Sequence, residues 1–265
     1  MTPRTLVVFH AHPDDEAIAT GGTMAKAAEA GHRVVLVVAT RGEHGEVAEG
    51  YLSPGEPLWQ RRVAETHEAA KVLGATRVEF LGYVDSGMVG TPENDAPESF
   101  WQADVEEAAG RLASILTEEG ADVLTIYDEN GVYGHPDHVQ VHRVGVRAAE
   151  LAGTPRVYMS SIDQDRIRAL FAEAMERGDP DLPGDLNLDD LNLGVPAERI
   201  TTRVDVRDYI DVKRRAMAAH ASQITEESFF LAMPVEQFVA AFGEEEYIFC
   251  GDPAQAGQND LFAGL

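Results

Sequence analysis

The 265-residue sequence has a single cysteine, Cys250, which excludes an internal disulfide and a cysteine-based zinc cluster. Any bound metal must therefore be held by histidine and carboxylate side chains. No stretch approaches the roughly 20 apolar residues that a membrane-spanning helix needs. The first residues also lack the apolar run and small-residue cleavage site of a signal peptide. We therefore expect a soluble, cytoplasmic protein.

Positive charge is scarce as well. Lysine and arginine number 21 against 46 aspartates and glutamates, which gives a formal net charge of −25. A field of that sign repels polyanions, so nucleic acid and anionic membrane surfaces are not expected partners. The sequence indicates no partner protein and leaves open whether the chain forms a homo-oligomer.

Short apolar runs alternate with segments of helical periodicity. The predicted strands are 6–10, 34–39, 77–81, 122–127, 157–160 and 200–204. The predicted helices are 21–31, 58–73, 105–118, a segment after Pro136, 166–177 and 209–222. Apolar strands that alternate with helices predict an α/β, Rossmann-like fold, with a mainly parallel sheet and helices on both faces. In such sheets the ligand site lies at the carboxyl ends of the strands.

The chain has no internal repeat and no second composition regime, so we predict one domain over residues 1–265. Residues 251–265 are interpreted as a polar C-terminal tail. The acidic stretch 178–194 contains proline and glycine and predicts a solvated linker at the surface, with a mobile flap as the alternative.

Two motifs of similar composition follow the first and fourth predicted strands. The first is His10-Ala-His-Pro-Asp-Asp-Glu16, and the second is Tyr133-Gly-His-Pro-Asp-His138. Adjacent parallel strands would bring both motifs to one edge of the sheet. Where no cysteine is available, zinc is bound by histidine nitrogen and carboxylate oxygen. The two motifs therefore predict three zinc ligands, His12, Asp15 and His138, with a fourth position left for water.

Further ionisable groups in both motifs indicate a catalytic site. Asp14 adjoins the predicted ligand Asp15, and we predict that it is the general base that takes a proton from the attacking water. The role of His10 is left open between the site and the core. Iron or cobalt would fit the same nitrogen and oxygen ligands as zinc.

These motifs resemble those of the zinc-dependent N-acetylglucosaminyl deacetylases of the LmbE/PIG-L type, in particular the bacterial mycothiol-pathway enzymes. Further segments carry the resemblance, which covers most of the chain: residues 41–46 (RGEHGE), 85–88 (DSGM), 130–138 (NGVYGHPDH) and 219–223 (AHASQ).

The resemblance implies the same ligands and the same base, and it adds roles for other residues. His135 would stabilise the oxyanion or protonate the leaving amine, and Asp137 would hold and charge His135. Tyr133 would help to polarise the amide carbonyl. Which of Asp14 and His135 protonates the amine stays open.

The resemblance also implies a set of residues that contact the substrate or line the site: Arg62, Asp85, Glu46 and His220. Each has a structural alternative. Arg62 could be a solvated charge and Asp85 a turn cap. Glu46 could hold the site without touching the substrate, and His220 could make a core hydrogen bond.

The leading functional prediction is therefore a zinc hydrolase that removes acetyl from an N-acetylglucosamine-containing small molecule, such as N-acetylglucosaminyl-inositol. An amidase that cleaves mycothiol S-conjugates is the alternative within the family. A non-catalytic sugar- or nucleotide-binding module is the alternative of another class. Against nucleotide binding, the first strand is followed by HAHPDD and not by a glycine-rich phosphate turn.

Overall fold

The computed structural model describes residues 2–48, 50–176 and 193–265. Seven strands in these ranges form one sheet, in the order β3-β2-β1-β4-β5-β7-β6. The strands are β1 Thr5–His10, β2 Arg33–Val38, β3 Arg77–Phe80, β4 Val123–Tyr127, β5 Arg156–Ser161, β6 Thr202–Asp205 and β7 Glu244–Phe249. The first five pair in parallel, and β7 runs antiparallel to β5 and β6.

Helices cover the sheet, as predicted. The α-helices are α1 Gly21–Glu29, α2 Leu58–Leu73, α3 Val105–Glu119, α4 Gly131–Gly134, α5 Pro136–Ala152, α6 Gln164–Glu176, α7 Ile210–Ala219, α8 Phe229–Ala232 and α9 Val235–Phe242. A π-helical turn, Glu16–Thr20, precedes α1. Within the described ranges, no helix combines the length and the apolarity that crossing a bilayer demands.

The core lies on both faces of the sheet because side chains alternate along each strand. Leu6 and Val8 of β1 face the cluster that contains apolar residues of α1, α2 and α7. Val7 and Phe9 face the opposite cluster, built with α3 and α5. Both clusters are buried, which explains why β1 reads as an uninterrupted apolar run. The predicted fold class is confirmed.

The structure differs from the sequence analysis at two points near the C-terminal end. Strand β7 was not predicted, since its sequence EEEYIF begins with three glutamates. Residues 251–265 are not simply a polar tail, because the side chain of Leu261 is 2% exposed and packs in the core. The ring of Phe262 stacks on His32 at 4.1 Å between centroids. Residues 178–192 of the predicted surface loop lie outside the described residues.

Candidate functional site

The two sequence motifs meet at the centre of the sheet. Strands β1 and β4 are parallel neighbours, with Leu6 opposite Val123. From β1 the chain continues outward through β2 to β3, whereas β4 leads to β5 on the other side. The pair β1/β4 is therefore the point where the connections reverse direction, which is where ligands bind in sheets of this kind. The predicted location at the carboxyl ends of the strands agrees with this topology.

The backbone is strained at one position in each motif region. Asp14 has φ 91° and Val132 has φ 67°, and no other non-glycine residue of the described ranges has a positive φ. Val132 is β-branched, which makes this conformation especially costly. Such strain persists only where neighbouring groups enforce it, and it clusters at functional sites.

The predicted ligand set is brought together. Oδ2 of Asp15 lies 3.4 Å from Nδ1 of His12 and 3.4 Å from Nε2 of His138. These separations are long for hydrogen bonds. Two ligand atoms on a tetrahedral ion, at bond lengths of about 2.0–2.1 Å, would lie about 3.3 Å apart. The spacing of Asp15 from each histidine is therefore the spacing of two ligands on one ion.

The charges also suit a cation. Although burial opposes ionisation, the neighbouring His138 and His12 hold the pKa of Asp15 well below its usual value. Burial likewise opposes a charge on His12, but hydrogen bonding to Asp137 raises the pKa of His12 well above its usual value. A cation in this cluster would take the place of a proton on His12.

Two groups of three side chains in the described residues have ligand atoms that all lie within 4.8 Å of one another, and neither group contains Asp15. One combines His12 with His135 and His138, and the other combines His12 with Asp85 and Asp137. In each group one member already accepts hydrogen bonds from the protein: His135 in the first group and Asp137 in the second.

The carboxylate of Asp137 faces His12 and Ser86. Its Oδ2 lies 3.1 Å from Nε2 of His12 and accepts the Ser86 N–H at 2.9 Å. The hydroxyl of Ser86 donates to Oδ1 of the same carboxylate. Because a carboxylate only accepts, the proton of a neutral His12 sits on Nε2, which leaves the Nδ1 lone pair directed at Asp15.

The family resemblance implies that Asp137 holds and charges His135, but in the structure the two residues are joined through the backbone of Asp137. The backbone N–H of Asp137, not its carboxylate, donates to Nδ1 of His135 at 3.1 Å. His135 is the N-cap of α5, and Pro136 follows in the first turn, where its missing N–H costs nothing. With Nδ1 an acceptor, a neutral His135 carries its proton on Nε2.

His135 is neutral near pH 7. Burial lowers its pKa to about 4, and the positive potential of His12 and His138 contributes to the shift. The ring lines the cavity described below. It can therefore present an N–H donor there without carrying a charge.

Asp14 lies beside the predicted ligands, and Arg62 anchors it. Nη2 of Arg62 is 3.2 Å from Oδ2 of Asp14 and also donates to the Pro13 carbonyl. Burial raises the pKa of Asp14 to about 6, against the lowering effect of Arg62. A carboxylate with such a pKa can both take and release a proton near neutral pH.

A cavity of about 230 Å³ opens over these groups. The residues that line it come from both motifs and from the loops after β2 and β3: His12, Asp14, Asp15, His44, Gly45, Arg62, Asp85, Gly87, Met88, Tyr133 and His135. Tyr133 is 44% exposed, and its hydroxyl lies 3.4 Å from Nε2 of His138. It stands at the rim of the cavity, within reach of a bound molecule.

The predicted substrate contacts divide into two groups. Arg62 and Asp85 line the cavity, although each is nearly buried and bonded to the protein. Glu46 is exposed and does not line it, whereas His44 and Gly45 of the same loop do. His220 is fully buried outside the cavity lining and bonds to Glu16.

His10 belongs to the core and not to the cavity, which were the two possibilities that the sequence left open. Its Nδ1 bonds to the Tyr127 hydroxyl at 2.7 Å, and its Nε2 bonds to the Thr20 hydroxyl at 2.8 Å. The ring is 1% exposed and is absent from the cavity lining. Its two hydrogen bonds instead connect the end of β1 with β4 and with the π-helical turn.

Sequence reasoning missed four lining residues, His44, Gly45, Gly87 and Met88, and the contact made by Ser86. The signal for them lies in the segments GEHGE and DSGM, which carry the family resemblance but imply no role for these residues. The glycines have a steric reason. A Cβ on Gly42 would come within 2.1 Å of Arg62 Nη1, and one on Gly45 within 2.6 Å of the same atom.

Solved structures share this fold at low sequence identity. N,N'-diacetylchitobiose deacetylase from Pyrococcus horikoshii aligns with TM-score 0.63 and 18% identity, over 97% of this chain and 87% of that chain. The 4-carboxy-2-hydroxymuconate hydratase from Pseudomonas putida aligns with TM-score 0.62 and 20% identity, over 94% of this chain and 97% of the other. One fold thus carries different reactions, so the chemistry must be argued from the site.

Sequence relatives are closer. A 1D-myo-inositol 2-acetamido-2-deoxy-alpha-D-glucopyranoside deacetylase of Thermomonospora curvata is 39% identical, over 100% of this chain and 98% of its own length. The enzyme of that name from Acidothermus cellulolyticus is 41% identical, over 99% of this chain and 95% of its own. Residues 7–149 match the family described as PIG-L: GlcNAc-PI de-N-acetylase. The chain therefore belongs to the PIG-L family.

Proposed function

We propose that the protein is a metal-dependent deacetylase. It hydrolyses the acetamide of an N-acetylglucosamine-containing small molecule, of which N-acetylglucosaminyl-inositol is the leading candidate, to a free amine and acetate. The observation that carries the proposal is the position of Asp14, a carboxylate with a raised pKa next to Asp15, whose Oδ2 lies 3.4 Å from a ring nitrogen of both His12 and His138. The names of the full-length relatives agree with this reaction.

The proposed metal ligands are Nδ1 of His12, Oδ2 of Asp15 and Nε2 of His138. Zinc is the leading candidate for the ion, and Fe²⁺ suits the same donors. A divalent cation held there would polarise the amide carbonyl and acidify water. The hydrogen bond from His12 Nε2 to Asp137 fixes the ring so that Nδ1 points to this position.

Asp14 is the proposed general base. As the water oxygen bonds to the carbonyl carbon, the Asp14 carboxylate takes the water's proton. When the C–N bond breaks, that proton is returned to the amine nitrogen. In the metal-free chain the pKa of Asp14 is raised to about 6, so this carboxylate can hold a proton close to neutral pH, whereas a pKa of about 4 leaves the His135 ring almost without a proton to give.

His135 and Tyr133 are the proposed stabilisers of the oxyanion. His135 offers its Nε2–H, since Nδ1 is occupied as an acceptor. Tyr133 is 44% exposed as a residue, but desolvation of its phenol and the nearby Asp15 raise the pKa of that group. The phenol therefore keeps its proton and can donate it in a hydrogen bond. A single donor of this type is typically worth about 3 kcal/mol of transition-state stabilisation.

Substrate hydroxyls would meet Asp85 and the rim of the cavity at His44 and Met88. We infer that Arg62 acts mainly by holding Asp14, since its terminal nitrogens are bonded to protein oxygens. Glu46 remains a candidate contact only for a substrate that extends beyond the cavity. The cavity is small, so a second ring of the substrate would lie at its mouth.

The test is amine release measured by mass spectrometry with the zinc-loaded protein. Three substrates are compared: free N-acetylglucosamine, N-acetylglucosaminyl-inositol and a mycothiol S-conjugate. We expect the inositol glycoside to be preferred. Preference for the conjugate would make the protein an amidase of thiol conjugates. Tight sugar binding without product, across a broad amide panel, would contradict a hydrolase and favour a binding module.

A further inference from the structure

A buried acid-histidine pair lies behind the catalytic cavity. Glu16 and His220 both have no exposed surface, and Oε1 of Glu16 is 2.5 Å from Nε2 of His220. Because a carboxylate only accepts, the imidazole donates from Nε2. The two residues are 204 positions apart, so the fold has brought α7 against the first motif to make this contact.

The second oxygen of Glu16 reaches the proposed base. Oε2 accepts the backbone N–H of Asp14 at 3.0 Å. On the other side of Asp14, its carbonyl accepts the N–H groups of Ala17 and Ile18 at 3.0 and 3.1 Å. The Glu16 carboxylate thus links His220 to the backbone of Asp14.

Asp14 needs such support because its φ of 91° is one that non-glycine residues rarely adopt. A strained backbone persists only where its surroundings enforce it. Arg62 contacts the Asp14 side chain, while Glu16 is bonded to its backbone N–H. The two anchors are therefore separate, and the position of the carboxylate depends on both.

We propose that Glu16 and His220 are positioning residues that hold Asp14 in its left-handed conformation and so aim its carboxylate at the attacking water. This inference rests on the proposed function, in which Asp14 is the base. Neither residue lines the cavity. The pair acts through Asp14 and not by touching the substrate.

The first test is kinetic. His220→Leu leaves the Glu16 carboxylate without its imidazole donor and frees the Asp14 backbone to relax. A displacement of about 1 Å at a catalytic group can cost about 100-fold in rate, and we expect a fall of that order in kcat, with KM and bound metal unchanged. His220→Gln retains an N–H donor and should recover most of the activity.

A matched control lies in the same loop. The hydroxyl of Ser222 donates to the buried carboxylate of Glu65 at 2.6 Å and has no contact with Asp14. Ser222→Ala therefore removes one hydrogen bond to a buried carboxylate without touching the base. We expect its kcat to stay at the wild-type value.

The second test is a double-mutant cycle. If His220 acts through Asp14, His220→Leu should have no further effect on the residual rate of Asp14→Asn. An equal loss in both backgrounds, or a loss of metal, would overturn the positioning role. If His220→Leu does not fold, the shorter His220→Asn serves in the same cycle. A folded, metal-loaded wild-type protein inactive on every acetamido sugar would instead overturn the proposed function.

Discussion

The carboxylate of Asp137 is directed at the imidazole of His12, with 3.1 Å between Oδ2 and Nε2. The Ser86 backbone N–H and hydroxyl hold the same carboxylate from behind. A histidine with one nitrogen on a carboxylate has the other nitrogen oriented for a metal. Asp137 therefore belongs to the support of the proposed metal site as much as to the surroundings of His135.

Removing this support should weaken metal binding. Changes to residues that orient a metal-binding histidine typically cost about 10- to 100-fold in affinity or activity, and we expect a loss of this order in zinc affinity for Asp137→Asn. Ser86→Ala should have a smaller effect in the same direction, because the Ser86 N–H remains. Competition with a chelator of known affinity measures both. Unchanged affinity in Asp137→Asn would contradict the orienting role.

Arg62 should affect turnover more than substrate affinity. It binds the carbonyls of Pro13 and Gly42 as well as Asp14, and a lysine cannot make all three contacts from one ammonium position. Arg62→Lys is expected to lower kcat by about 100-fold, the cost of a misplaced catalytic group, with little change in KM. A large rise in KM with kcat intact would indicate direct sugar contact instead.

Activity should fall on the acid side as Asp14 takes a proton. The pKa of Asp14 is about 6 in the metal-free chain, and a nearby cation lowers it. The base is ionised above its pKa, so activity is retained above pH 6, and the acid limb of kcat/KM lies at or below that value. The residual activity of Asp14→Asn should lack this limb. A limb centred well above pH 6 would have to come from another group.

The last residues should contribute to stability. Leu261 is 2% exposed and packs in the core beside Phe262. Replacing a buried leucine by alanine typically costs about 2–5 kcal/mol, so Leu261→Ala should lower the free energy of unfolding by about that amount. Urea denaturation measures the change. Phe262→Leu is a milder comparison, since it keeps an apolar group over His32 while it removes the stacked ring. Wild-type stability in Leu261→Ala would mean that the terminal segment is not docked.

The sequence was sufficient for the fold class and for the pairing of the two motifs. The runs LVVFH and VLTIY are mostly apolar because both faces of β1 and β4 are covered, and this pattern identified them as strands. The histidine and aspartate residues that follow each run were then expected to meet at one edge of the sheet.

The sequence did not predict the buried charged residues whose partners lie far away along the chain. Strand β7 was hidden because Glu245 is buried with Lys213 and with the N–H groups at the start of α1. The contacts of His220 and Arg62 could not be predicted from the sequence either. Their partners Glu16 and Asp14 are 204 and 48 positions away, and no local pattern encodes such a distance.

The central claim is that Asp14 performs the proton transfer while other residues hold the metal. The most direct test compares metal content and amine release from N-acetylglucosaminyl-inositol for the zinc-loaded wild type and Asp14→Asn. General-base catalysis contributes about 10²- to 10⁴-fold. We therefore expect full metal occupancy in the variant and a loss of turnover in that range. Near-normal turnover with metal bound would contradict the assignment of Asp14 as the base.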